Sequence, residues 1–90
     1  MLEWFVYFLR SRKKDWVYVG MARNVYERFE EHKEGLVQST KAYRPLSLAG
    51  YIAVQSSRKA RELEKYFKTG SGKAVLKKRI LTDEVPQSGT

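Results

Sequence analysis

The sequence predicts an α+β domain, a small three-stranded, mainly antiparallel sheet flanked by helices in the order β-β-α-β-α-α. Three observations carry this expectation. Two aromatic, β-prone runs, residues 4–9 and 16–19, are joined by a short charged connector. Helix-capping residues stand at Asn24 and at Ser56 or Ser57. Between the two helices they announce, residues 46–54 return to a β-prone composition.

Each element has a local reason. Residues 4–9 are continuously apolar or aromatic, as in a strand buried on both faces. The second run is closed by Gly20, and the short link implies a hairpin. Asn24 followed three residues later by Glu27 forms a possible capping box, so a helix is expected from residue 25 to about 33, with Gly35 as its stop. Residues 36–45 form a polar, basic loop. The third strand contains Gly50, which loosens it. A second helix runs through Lys68, and Thr69-Gly70-Ser71-Gly72 is expected to end it. Residues 73–81 then form a short basic third helix. The domain is expected to span residues 1–81, with 82–90, which include Pro86 and Gly89, as a flexible tail.

Composition narrows the function. Ninety residues suffice for one domain with a small core. There is no cysteine and a single histidine, His32, which excludes disulfides and argues against the usual zinc sites. No apolar run approaches the roughly 18 residues of a membrane span. The opening Met1-Leu2-Glu3-Trp4 lacks the features of a signal peptide, which argues for the cytoplasm. The net charge is +8, and residues 58–79 hold nine Lys or Arg against two acids, Glu62 and Glu64. Such a segment suits phosphates, and equally a solvated helix face or an anionic surface.

Polar residues occupy inward helical positions. From Val25 the core-facing spacing gives Val25, Arg28, Phe29 and His32; from Ala60 it gives Ala60, Leu63, Glu64 and Phe67. Burying an unpaired guanidinium is costly, so Arg28 and Glu64 belong either to a paired structural site or to a cleft edge. The structural alternative is an Arg28–Glu64 ion pair with His32 at its edge, or a Glu64–Lys68 pair at i,i+4. In the strands, Tyr7 and Tyr18 can meet on one face of a hairpin.

These residues fall in a familiar order. Phe5-Val6-Tyr7 and Tyr18-Val19-Gly20 resemble the paired triplets of the GIY-YIG nuclease family. Asn24 to His32 is similar to its Arg-x-x-x-His motif, and Arg58 to Lys68 to its glutamate motif, centred on Glu64. The stretch from Thr40 to Pro45 and the ending Lys68-Thr69-Gly70-Ser71-Gly72-Lys73 resemble small stand-alone members. Phe5 stands where the family name has Gly, and the asparagine many members carry downstream of the glutamate has no counterpart, because the only asparagine is Asn24.

The resemblance implies a metal-dependent DNA endonuclease, structure-selective and linked to repair or recombination. Its implied catalytic residues are Tyr7, Tyr18, Arg28, His32 and Glu64, with Glu64 as the ligand of Mg²⁺, which Mn²⁺ can replace. They are expected to converge on one solvent-open pocket. Arg28 would stabilise phosphoryl charge. Tyr7 or Tyr18 would position or deprotonate water, and His32 would relay its proton or orient Tyr18. DNA would be held by Lys41, Arg44, Arg58, Lys59, Arg61, Lys68, Lys73, Lys77 and Lys78, with no membrane contact and with room for a protein partner that targets the enzyme. A non-catalytic nucleic-acid-binding module with the same fold, and an interaction protein docking on an acidic partner, stand as alternatives.

Overall fold

The computed structural model describes residues 3–81. The elements are β1 (Trp4–Ser11), β2 (Val17–Ala22), α1 (Val25–Lys33), a 3-10 turn (Lys41–Tyr43), β3 (Leu46–Val54), α2 (Ser57–Phe67), α3 (Gly70–Val75) and a π-type turn (Leu76–Ile80). The sheet order is β2-β1-β3, antiparallel throughout. This is the expected α+β fold and element order.

The central position of β1 explains its unbroken apolar run. Val6, Phe8, Val19, Ala60, Phe67, Leu76 and Leu81 form the core on the face covered by α2 and α3. Phe8 meets Phe67 edge-on at 5.1 Å, a favoured aromatic geometry. On the opposite face, Tyr7, Leu9, Val25 and Leu46 pack with Trp16, Tyr18 and Phe29 beneath α1. Period-2 alternation along β1 thus sends Tyr7 to the α1 side and Phe8 to the α2 side. Between β1 and β3 the register slips after Phe8, which pairs with Gly50, so that Leu9 pairs with Leu48. Ala49 is the extra residue, a bulge at the glycine expected to loosen this strand.

The caps behave as their chemistry dictates. The Asn24 side chain accepts from the Glu27 backbone N–H at 3.0 Å, and α1 stops before Gly35, whose φ is +80°. Ser56, rather than Ser57, caps α2 by accepting from the Lys59 N–H.

The expectation at the next junction needs correction. Residues 69–72 do not form a loop before a helix at residue 73. Thr69 accepts from the Gly72 N–H as an N-cap, and α3 begins at Gly70. Gly72 is buried against the Tyr66 carbonyl, where any Cβ would collide. The glycine therefore serves the close approach of α3 to α2 instead of breaking the chain. The helix ends at Val75, and Leu76–Ile80 continue as the π-type turn. The expected tail, 82–90, lies outside the described residues.

Candidate active site

The site starts from strand register. Tyr7 on β1 lies directly opposite Gly20 on β2, and Tyr18 lies opposite Leu9. Both tyrosines therefore point to the α1 face, on a diagonal, with ring centroids 6.2 Å apart. The Tyr7 ring lies over Gly20. A Cβ there would sit 2.6 Å from the Tyr7 hydroxyl and 2.9 Å from Cε2 of Tyr18. Glycine is the side chain that lets both rings settle.

From α1, His32 descends onto the same face. It is completely buried, its Nε2 is 2.9 Å from the Tyr7 hydroxyl and its Nδ1 is 2.8 Å from the Thr40 hydroxyl. It also packs against Tyr18, centroids 5.2 Å apart. The hydrogen-bond directions follow from the outer partners. The Thr40 hydroxyl donates to the Val37 carbonyl at 3.4 Å, which leaves its oxygen to accept from His32 Nδ1–H. With Nδ1 donating to Thr40, Nε2 of the neutral ring is left to accept from the Tyr7 hydroxyl. His32 is thus a neutral imidazole with a fixed tautomer.

Thr40 is itself held in place. The 3-10 turn after it presents Tyr43, which stacks on Trp16 at 3.7 Å and 6°. Ser11 donates to the Tyr43 carbonyl at 2.7 Å. Arg44 donates to the carbonyls of Lys41 and Lys33. The expected basic loop is therefore strapped to the sheet at the point where it supports His32.

Burial sets the electrostatics. Desolvation pushes the Tyr7 phenol up to about 12, against the smaller opposing pull of Arg28; the charges of Tyr18 and Glu64 add to the rise. Tyr7 is therefore a neutral hydrogen-bond donor at neutral pH. His32 is lowered below its ordinary 6.5, first by burial and then by the Arg28 charge, with Glu31 opposing. The hydrogen bond to Glu31, at 2.6 Å, raises Arg28 and keeps it charged.

The five implied residues are not equally exposed. Tyr7 and His32 are sealed, at 1% and 0% exposure. Tyr18, Arg28 and Glu64 are partly exposed. Glu64, on α2, reaches Tyr7 through its charge, and one of its oxygens accepts from Lys68 at 3.3 Å. Two of the five residues expected to share a solvent-open pocket are thus buried, and three are partly exposed.

Of the structural alternatives, the Glu64–Lys68 pair is present, whereas Arg28 pairs with Glu31. The alternative Arg28–Glu64 bridge is not among the ion pairs of the described residues, and His32 lies at the centre of the tyrosine cluster instead of at the edge of such a pair. Two supporting residues, Gly20 and Thr40, are not among the site residues that the sequence implies. The signal for Gly20 was its place opposite Tyr7 in the hairpin. Thr40 had only its membership of the Thr-to-Pro stretch.

The GIY-YIG catalytic domain family model matches residues 3–79. The chain belongs to the GIY-YIG family. Its domain therefore has a nuclease-type fold. Comparison with curated proteins and with solved structures gave no match. Among the described residues, no helix of this GIY-YIG domain is long and apolar enough to cross a membrane.

The buried histidine has a measurable consequence. His32 faces Tyr7, Tyr18 and Thr40, with Arg28 and Glu31 as the nearby charges. Its folded-state pKa lies below the unfolded value. Between the two, the unfolded chain binds more protons, so stability is full above about pH 6.5 and declines as pH falls below it. Thermal melts across this range are expected to show the midpoint falling, with a smaller decline in His32→Gln. Equal declines in both proteins would exclude His32 as the source.

Proposed function

We propose that this GIY-YIG domain is a Mg²⁺-dependent DNA endonuclease, selective for branched or flapped DNA and acting in cytoplasmic repair or recombination. The observation that carries the reading is Arg28. Its charged guanidinium is held at the surface between Glu31 and a Tyr7 that is itself fixed by a buried His32–Thr40 chain. A cation preorganised in this way, beside a carboxylate, suits the negative charge that develops on a phosphoryl group.

The donor set fits a hard cation. Glu64 is partly exposed, its side chain 22% accessible, and the described residues contain no cluster of three or more His, Cys, Asp or Glu. One carboxylate, with water and substrate oxygens completing the shell, suits Mg²⁺ or Mn²⁺. When bound there, the ion supplies Lewis-acid polarisation of the phosphate.

Burial divides the remaining roles. Tyr18 is the more accessible tyrosine and orients the attacking water. Tyr7 and His32 are positioning residues, because a sealed phenol with a pKa raised to about 12 holds Arg28 in place better than it takes a proton from water. Lys68 holds the Glu64 carboxylate.

Arg61 on α2 and Lys68 at its C-cap flank Glu64 at i−3 and i+4, and Lys41, Lys73, Lys77 and Lys78 are exposed. They suit contacts to the DNA backbone, which position without reading sequence. Arg58 and Lys59 share Glu62, and Arg44 is engaged with two carbonyls, so these three would exchange partners to bind phosphate.

The test is cleavage of flapped DNA by purified protein. Nicking is expected with Mg²⁺ or Mn²⁺, lost on chelation and regained when metal is restored. Binding should weaken steeply with salt. A second reading, a non-catalytic DNA-binding module, draws on the one asparagine, which is spent capping α1. Salt-sensitive binding without cleavage across a full metal titration would establish that reading.

A further inference from the structure

Three aromatic side chains of the described residues are exposed, Tyr26, Tyr51 and Tyr66, and the first two lie together. They are 64% and 44% exposed. Their rings meet edge-on at 6.4 Å, and Tyr51 meets Phe5 in the same way at 5.5 Å. The tyrosines line an open groove together with Phe5, Arg23 and Val25.

The groove continues the candidate active site. Tyr51 is the direct β3 partner of Tyr7, so their Cβ atoms lie on one face at neighbouring positions, about 5 Å apart. Val25, at its base, is three residues before Arg28 on α1, one helical turn away. Arg23 adds positive charge to the rim, 64% exposed and paired with Glu3.

We propose that the Tyr26–Tyr51 groove binds an unpaired nucleobase of the DNA strand whose phosphate is held at Arg28 and Glu64. This rests on the nuclease reading and gives it a source of structure selectivity. The chemistry matches on three counts. Exposed π-faces stack on any base and are sequence-tolerant. The guanidinium of Arg23 favours a polyanion, as does the +8 net charge of the chain. A base inside a duplex has both faces covered by its neighbours, so only an unstacked base at a flap, branch or end can offer one. The groove therefore distinguishes branched from plain DNA without contacting a base edge.

The test uses flapped and plain duplexes, each carrying 2-aminopurine, at the first unpaired position of the flap and at the matching paired position. Binding is measured in chelator to prevent cleavage. Wild-type protein is expected to change the 2-aminopurine emission of the flap and to leave that of the duplex unchanged. Replacing both tyrosines, Tyr26→Ala with Tyr51→Ala, should weaken flap binding about tenfold or more and leave duplex binding unaltered. Tyr26→Phe with Tyr51→Phe keeps the π-faces and should retain flap binding. Both positions are exposed, and circular dichroism checks that the variants are folded.

Equal flap affinity in the alanine variant and the wild type would overturn the proposal, as would equal losses on flap and duplex. Variants that alter only self-association would assign the groove to a protein partner and overturn it too. Cleavage by the wild type is scored separately. Cleavage with tyrosine-independent flap binding sinks the groove and keeps the nuclease, whereas tyrosine-dependent binding without cleavage keeps the groove and sinks the nuclease.

Discussion

Glu64→Gln and Arg28→Ala are each expected to lower cleavage of flapped DNA by at least about a hundredfold, the usual effect of removing one preorganised electrostatic contact to a developing charge. The glutamine keeps the shape of the side chain and removes the charge that would hold a cation. The arginine substitution removes the surface cation aimed at the phosphate. Neither change should unfold the protein. The Glu64–Lys68 pair is i,i+4, with the lysine 54% exposed, and such pairs contribute at most about 0.5 kcal/mol. The Arg28–Glu31 pair is about 40% exposed on both sides and is screened likewise. Rates and melting curves measured on the same preparations decide the matter. A wild-type rate in either variant would remove that residue from the mechanism, and a large fall in melting temperature would mark it as structural. Arg28→Lys should recover little, because a point charge on a flexible stem cannot contact Tyr7, Glu31 and phosphate together as a planar fork does.

The second large effect is expected at a residue with no functional group. Gly20→Ala places a methyl 2.6 Å from the Tyr7 hydroxyl and 2.7 Å from its Cζ. Tyr7 is 1% exposed, shares a buried cluster with Leu9 and Val25 and meets the His32 ring, so moving its ring disturbs packed neighbours. The methyl must displace the ring, stretch the 2.9 Å bond to His32, or part β1 from β2. Overpacking of this kind costs about 1–3 kcal/mol. Because Tyr7 lies beside the Arg28 charge in the proposed site, cleavage should fall at least about tenfold at temperatures where the variant remains folded. Gly50→Ala is the matched control. It also lies in the sheet, but its Cβ would meet nothing closer than Ile80 Cγ2 at 3.7 Å, an ordinary contact. Similar stability and activity losses in both variants would show that the effect is generic to strand glycines and that the Tyr7 position does not depend on Gly20.

Much of the fold could be read along the chain because its causes are local. The run from Trp4 to Leu9 is apolar at every step, as a central strand requires. Asn24 and Ser56 cap helices because their side chains reach backbone N–H groups three residues ahead. The junction at Thr69–Gly72 is not legible in the same way, because glycine has two opposite meanings. It breaks a helix by its freedom, and it admits a second helix by lacking a Cβ. At Gly72 the second applies, since the Tyr66 carbonyl occupies the space a side chain would need.

By itself, the sequence determined the element order, the Asn24 cap and the inward placement of His32, since each depends on neighbours within about one helical turn or on strand alternation. Only the tertiary structure decided which partners the site residues take. Arg28 meets Glu31 and not Glu64, and His32 is sealed between Tyr7 and Thr40. It also separated a buried Tyr7 from a more open Tyr18, two tyrosines that look equivalent in their triplets. The physical reason is that desolvation and hydrogen-bond direction depend on atoms brought together from distant parts of the chain: β1, α1 and the loop before β3 must all be in place before His32 has a tautomer or Tyr7 a raised pKa.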